Sequence, residues 1–192
     1  EAVERLISQL APACRAKVAA DVAELEAFAQ QTEGKDFKLA AWDLDYYAER
    51  LKKAKYDLNE ADLKPYLVLD SVLKNGVFFA ANQLYGLTFK PRPDIPVYAD
   101  GVQVYEVFDQ DNTPMALFYT DYFRRPTKTG GAWMSNFVQQ STLFGTKPVI
   151  YNVCNFEAPA KGAPAFLTSS DVETLFHEFG HALHGLFASQ KY

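Results

Sequence analysis

The chain has 192 residues and a mass of 21.6 kDa, with 48% hydrophobic and 22% charged residues, which is typical of a folded globular protein and excludes a disordered chain. Its 19 Lys and Arg against 24 Asp and Glu give a net charge of −5, the wrong sign for a protein that binds nucleic acid through its phosphates. Its apolar runs are far shorter than the roughly 20 residues that cross a bilayer, so we expect neither nucleic acid nor a membrane as a partner.

The first half of the sequence has a helical pattern. Residues 1–32 are rich in Ala, Leu, Glu and Gln, and Pro12 is expected to divide them into a short helix and a longer one. A second helix is predicted over residues 39–56. Its predicted apolar face holds Trp42, Tyr46, Leu51 and Ala54. A third helix is predicted over residues 70–85, with Gly86 at its end.

The second half contains strand patterns. Residues 102–108 alternate between two faces and are followed by a second run at 115–123, which together predict a hairpin. A third strand is predicted over 148–156. Residues 132–143 follow a Gly-Gly pair and are a candidate helix.

These elements predict an α+β fold in which helices predominate. The chain is expected to be a single fragment, 1–192, with a helical part at 1–90, a small β-sheet part at 95–156 and a last helix at 171–188. Because the sequence starts at Glu1 without a methionine or a signal peptide, we expect a piece of a longer protein.

The two cysteines, Cys14 and Cys154, stand far apart in the sequence. Such spacing favours two reduced, buried thiols over a disulfide framework. The expected location is therefore the cytoplasm.

The chemistry of the chain is concentrated in the last predicted helix, for which Ser170 or Asp171 is the candidate N-cap. The three histidines of the sequence fall on one face of it, opposite an apolar stripe. This stripe comprises Val172, Leu175, Phe176, Phe179, Leu183, Leu186 and Phe187. Residues His177 to His181 form a His-Glu-x-x-His motif, in which two imidazoles one turn apart can bind one Zn²⁺. The glutamate between them, Glu178, is then the candidate general base.

A catalytic zinc site needs three protein ligands and one open position, and this motif supplies two. If the third ligand is a glutamate from a following helix, as in a His₂Glu arrangement, it lies outside this chain. Glu157 or Asp171 could in principle take its place, although the spacing favours neither. A third histidine ten positions after the first would indicate a metzincin, but Phe187 stands there. His184 is expected to have a supporting or merely polar role rather than to bind the metal.

Several blocks of the sequence resemble one family. Residues 174–184 are similar to the active-site helix of the thimet-oligopeptidase-like (M3) zinc metallopeptidases, and so are the blocks at 95–98, 130–134 and 147–156. Within that family, Tyr-Asn-Val-Cys-Asn-Phe at 151–156 and His-Ala-Leu-His-Gly-Leu-Phe in the last helix most resemble the bacterial peptidyl-dipeptidases. The oligopeptidase A branch, with its Gly-Gly-Ala-Trp block, is the nearest alternative.

The resemblance implies a mostly helical peptidase whose channel admits short peptides, with one zinc ion in its active site. It implies His177 and His181 as zinc ligands and Glu178 as general base. The remainder of the parent polypeptide would supply the third ligand, so this fragment alone is expected to be inactive.

By analogy, Gly131, Ala132 and Trp133 would form an edge strand that pairs with the substrate backbone, although a plain loop explains them equally well. The neighbouring basic residues could recognise a substrate carboxylate or could be solvated surface charges. They are Arg124, Arg125 and Lys128.

The resemblance predicts hydrolysis that releases C-terminal dipeptides. Three alternatives remain. The first is an endopeptidase like oligopeptidase A, and the second is a gluzincin aminopeptidase, against which the absence of a Gly-x-Met-Glu-Asn block argues. The third is a non-catalytic helical binding module in which the His-Glu-x-x-His motif is incidental.

Overall fold

The computed structural model describes residues 1–57, 60–188 and 190–191. The chain divides into two compact units, Glu1–Asp62 and Leu63–Tyr192. Among the helices of these described ranges, none combines the length and the hydropathy that spanning a bilayer requires. The single-fragment organisation into three parts stays a prediction.

The first unit is built from helix α1, Ala2–Glu33, a 3₁₀ turn, Ala41–Asp43, and helix α2, Leu44–Tyr56. The expectation that Pro12 divides the first helix is wrong, because α1 continues through it. Proline removes the amide that would bond to the carbonyl of Ser8 four residues earlier. Both residues are exposed, so water can hydrate that carbonyl and the helix loses only one bond.

The predicted apolar face of α2 is wrong in part. Tyr47 is the buried residue of this helix and packs edge-on against Phe37, with 5.5 Å between the ring centroids. Trp42, by contrast, is 85% exposed and Tyr46 is 57% exposed. Leu44 and Leu51, about one turn to either side of Tyr47, are half-buried, so the buried face is rotated from the predicted one.

Both cysteines are free, as predicted, but only Cys154 is buried. Cys14 lies exposed on α1, so the expectation of a second buried thiol is wrong. Helix α1 is long and mostly exposed, and Cys14 falls outside its narrow buried stripe, where only Ala29 is fully buried. The cytoplasmic location stays a prediction.

A short helix α3, Glu60–Leu63, and a 3₁₀ turn, Lys64–Tyr66, lead into a longer helical stretch. This stretch consists of α4, Leu69–Ser71, a π-helical segment, Val72–Phe78, and α5, Phe79–Tyr85. It confirms the predicted third helix. Gly86 ends it in the left-handed region, with φ 73°, which glycine adopts without strain.

Five strands of the second unit form one mixed sheet in the order β1-β2-β3-β5-β4. They are β1, Thr88–Pro91, β2, Gln103–Phe108, β3, Pro114–Phe123, β4, Trp133–Val138, and β5, Val149–Phe156. Strands β3 and β5 pair in parallel, and the other neighbours pair antiparallel. The predicted hairpin and the third predicted strand are confirmed.

Two features of the sheet differ from what the sequence predicts. Strand β1 was not predicted, because it is short and ends in a proline. The candidate helix at 132–143 is wrong, since residues Trp133 to Val138 form β4 and pair with β5. Pairing with a long buried strand decides the conformation of this edge segment more than its own propensity does.

One face of the sheet carries the last helix, α6, Ser169–Leu186. Phe179 of α6 lies at the centre of the core, where its ring is 5.6 Å from that of Phe118 on β3 and 5.9 Å from that of Phe89 on β1. A single hydrophobic core therefore joins α6, the sheet and the π-helical segment. The predicted α+β class is confirmed.

Candidate active site

Helix α6 begins with a capping box. The amide of Asp171 donates to the Thr168 hydroxyl at 3.1 Å, and the amide of Thr168 donates to the Asp171 carboxylate at 2.9 Å. The N-cap is therefore Thr168 rather than Ser170 or Asp171, and the helix covers residues two positions earlier than predicted. The reciprocal bonds satisfy two helix-start amides at once, which favours the earlier residue.

The two faces of α6 differ sharply in burial. Its buried side chains are Leu175, Glu178, Phe179, Ala182 and Leu186. All three histidines lie on the exposed side, as predicted. Two members of the predicted apolar stripe are largely exposed, since Phe176 is 41% and Phe187 is 38% accessible. They sit at the edge of the stripe, and Ala182 lies closer to its centre.

His177 and His181 approach each other through the same ring atom. Their Nε2 atoms are 3.1 Å apart, and their ring centroids are 4.8 Å apart at 76°. Two nitrogen ligands of one tetrahedral Zn²⁺, each about 2.0–2.1 Å from the ion, lie roughly 3.3–3.4 Å apart. The two imidazoles are thus already close to the separation that a shared zinc ion requires.

Glu178, between them in sequence, is 7% exposed although it is a carboxylate. Its Oε2 atom is buried and has no hydrogen-bond partner among the described residues. Its backbone carbonyl accepts a bond of 2.9 Å from the side-chain amide of Asn152 on β5. Burial, together with the nearby charge of Glu178, raises the pKa of Cys154 to about 12. Glu178 therefore lies against the sheet, with one buried oxygen that no described group contacts by a hydrogen bond.

The described residues bring no third metal ligand to this pair. Among them, no group of three or more His, Cys, Asp or Glu side chains is placed to hold an ion. Glu157 is bonded to Arg124 at 2.8 Å, and Asp171 is part of the capping box. His184 is exposed in the last turn of α6. Both carboxylates named as alternatives from the sequence are therefore engaged elsewhere.

Strand β4 forms an edge of the sheet and, among the described residues, pairs with β5 alone. The chain enters it through Gly131, which has φ 93°, a value that residues with a Cβ rarely adopt. The side-chain amide of Asn155 donates to the carbonyls of Thr129 and Gly131 at 2.9 and 2.8 Å. Of the three residues predicted as an edge strand, Trp133 is the first of β4, whereas Gly131 and Ala132 precede the strand. Their role toward a substrate stays a prediction.

A buried charge cluster fixes the loop before β4. Asp121 is 3% exposed and accepts both guanidinium nitrogens of Arg125, at 2.7 and 2.9 Å, and the Lys128 ammonium, at 2.9 Å. The Tyr98 hydroxyl also donates to it at 2.9 Å. The Lys128 side chain is only 3% exposed, so its interpretation as a solvated surface charge is wrong, whereas Arg124 is exposed.

Sequence reasoning missed Asn152, Asn155 and Asp121. A signal existed for two of them, because Asn152 and Asp121 interrupt otherwise apolar, buried strands. The hydrogen-bond partners of these residues lie far along the chain or in a loop, and no local sequence pattern identifies such partners.

The chain is similar to known proteins over its whole length. The whole chain, residues 1–192, matches the profile of peptidase family M3. It is 52% identical to a dipeptidyl carboxypeptidase of Escherichia coli over 192 residues, which is 100% of this chain and 28% of that protein. It is 54% identical to a dipeptidyl carboxypeptidase of Salmonella typhimurium over 183 residues, 95% of this chain and 27% of the relative.

A third relative belongs to another branch. The chain is 39% identical to oligopeptidase A of Escherichia coli over 181 residues, 93% of this chain and 26% of that protein. It therefore spans little more than a quarter of the length of these relatives. The match over its full length shows that the chain belongs to peptidase family M3, whose members are zinc-dependent metallopeptidases.

Proposed function

We propose that this chain carries the zinc-binding helix of a peptidase that hydrolyses short peptides and releases C-terminal dipeptides. His177 and His181 would be two ligands of a single zinc ion, and Glu178 the general base. The observation that carries the proposal is the 3.1 Å separation of the two Nε2 atoms, with the buried glutamate between them in the same turn.

The chemistry divides between the metal and this chain. A bound zinc ion acts as a Lewis acid and makes a coordinated water acidic near neutral pH. Glu178 would take the proton of the attacking water and pass it to the leaving amine. Its side chain is only 7% exposed, and the bond from Asn152 to its carbonyl fixes the backbone that carries it.

The isolated chain would be a half-site. Two histidines bind zinc more weakly than a complete set of three ligands, so this chain alone would bind zinc weakly and hydrolyse nothing measurable. The absence of a third ligand from the described residues supports this proposal, as does the coverage of only 28% of a relative. The remainder of the peptidase would supply a glutamate.

Substrate would bind along the open edge of β4. An extended peptide can add a strand there and bond to the backbone of Gly131, Ala132 and Trp133. Asn155 supports this role, because it holds the Gly131 carbonyl and so fixes the backbone where the strand starts.

The metal half of the proposal is tested by zinc titration of the chain in competition with a chelating dye. We expect binding on the order of micromolar or weaker, lost in His177→Ala. His184→Ala is the matched control, since that histidine is exposed on the same helix one turn beyond His181 and should leave the affinity unchanged. Equal binding by the unsubstituted chain and His177→Ala contradicts the zinc site. Nanomolar binding would place a third ligand within the chain and contradict the half-site.

The substrate half requires the full-length protein and a matched pair of N-terminally blocked peptides, one with a free C-terminal carboxylate and one amidated. A peptidyl-dipeptidase releases a dipeptide from the free peptide only. The 39% identity to an oligopeptidase A favours an endopeptidase as second candidate, which would cut both peptides alike. Cleavage of neither would support a non-catalytic module, and Glu178→Ala should abolish any cleavage that is observed.

A further inference from the structure

Asn152 is an unusual residue for its position. It lies on β5, inside the sheet between β3 and β4, and is 0% exposed. Its neighbours on the same face, Ile150 and Cys154, are apolar and buried, as expected for a strand covered by a helix. An amide buried there lowers stability unless all its polar atoms are bonded, yet its Oδ1 atom has no partner among the described residues.

The bond that Asn152 does make is directed at the candidate general base. Its Nδ2 atom donates to the backbone carbonyl of Glu178 at 2.9 Å, across 26 residues of sequence. In an α-helix that carbonyl normally accepts the amide four residues later, so the side chain of Asn152 adds a second donor to it. The bond joins α6 to β5 in the turn that carries both His177 and His181.

The same residue is also connected to the edge strand. In the register of the sheet, Asn152 stands opposite Met134 of β4, immediately after Trp133. A contact that fixes α6 on β5 at this point therefore fixes the height of Glu178 relative to the strand along which substrate would lie. A general base acts efficiently only when its oxygen is held within hydrogen-bond distance of the proton it removes.

We propose that Asn152 is a positioning residue for Glu178, retained at the expense of stability so that the helix has one register on the sheet. The proposal rests on the peptidase function proposed above. It follows from the only side-chain hydrogen bond described between β5 and α6 and from the partial satisfaction of the amide that makes it.

The test separates positioning from packing with two substitutions on one strand face. Asn152→Leu keeps the size of the side chain and removes the amide, whereas Ile150→Val removes one methylene group from the core and leaves the amide intact. Both are made in the full-length protein, and kcat, KM, zinc content and the thermal midpoint are measured for each.

For Asn152→Leu we expect kcat to fall about tenfold or more, with KM and zinc content nearly unchanged and a thermal midpoint equal to or above that of the unsubstituted protein. Ile150→Val should lower the midpoint and leave kcat unchanged. Such opposite responses cannot come from a common loss of stability.

Two results would overturn the inference. The first is an Asn152→Leu variant that retains full kcat. The second is a fall in kcat that is matched by a fall in the thermal midpoint, since that would show a structural role. Failure of the proposed function gives a different result, because the unsubstituted protein would then cleave no peptide at all.

Discussion

Helix α6 lies close against the sheet at Gly185, and this contact can be tested directly. A Cβ atom added there would lie 2.6 Å from the Met134 methyl group and 2.8 Å from Cδ1 of Ile150. Gly180 on the same helix is a matched control, because a Cβ atom added to it would meet nothing within 4 Å. We therefore compare Gly185→Ala with Gly180→Ala.

The expected magnitude follows from two opposing contributions. Alanine stabilises a helix interior by about 1 kcal/mol relative to glycine, a gain that applies in full to Gly180 and less to Gly185, which lies in the last turn of α6. Overpacking at Gly185 costs about 1–3 kcal/mol. The Met134 methyl group can move aside, but Ile150 also has Cγ1 at 3.3 Å, so the contact is not relieved by one rotation. Gly185→Ala should thus be about 1–3 kcal/mol less stable than Gly180→Ala.

The assay is urea unfolding followed by tryptophan fluorescence. The chain has two tryptophans, of which Trp133 lies in β4 and Trp42, 85% exposed, in the first unit. A Trp42→Phe background leaves Trp133 as the reporter of the second unit. Each kcal/mol should also move the thermal midpoint by roughly 2–8 °C.

Equal stability of the two variants would refute the close packing of α6 on β4 and β5. So would a more stable Gly185→Ala. In either case the height of the His-Glu-x-x-His turn above the sheet would differ from the one described. The proposed role of Asn152, which depends on that height, would then fail as well.

Further predictions concern the buried charge and the thiols. Asp121→Asn should cost about 3–5 kcal/mol in urea unfolding, because it leaves Arg125 and the buried Lys128 without their carboxylate. Burial raises the pKa of Asp121, but its hydrogen bonds from Arg125, Lys128 and a tyrosine outweigh burial and hold it below the ordinary value. Its stabilisation should be complete above about pH 4 and be lost as the pH falls through the folded-state pKa, so parallel pH profiles of the parent and Asp121→Asn would contradict the cluster. Iodoacetamide should label exposed Cys14 rapidly and buried Cys154, with its pKa of about 12, only on unfolding, as mass spectrometry of the native chain can show.

The elements that the sequence predicted well are those with strong periodicity. The hairpin of β2 and β3, the strand β5 and the helix α6 each carry an apolar pattern long enough to identify them. The failures have separate physical origins. Strand β4 takes its conformation from pairing with β5, and α1 passes Pro12 because a long exposed helix tolerates one lost bond.

The residues of the candidate site could be predicted from the sequence, but the burial of their side chains could not. The spacing of His177 and His181 fixes their common face, since that follows from helix geometry alone. The burial of Glu178 does not follow from it, because periodicity places this residue at the boundary of the apolar stripe, where tertiary packing decides. The sheet beneath α6 supplies that packing.

Three polar side chains occupy positions where the local pattern calls for an apolar one: Glu178 on the buried side of α6, Asn152 on β5 and Asp121 on β3. Each lowers stability unless a partner compensates it. Asp121 is compensated fully by two cations and a hydroxyl, and it holds a loop. Glu178 and Asn152 each keep one buried oxygen without a described partner, and they are joined to each other. Thr88 and Tyr122 also keep a buried oxygen without a described partner. The hydrogen bond between Asn152 and Glu178, and not incomplete compensation alone, therefore distinguishes the proposed base and its positioning residue.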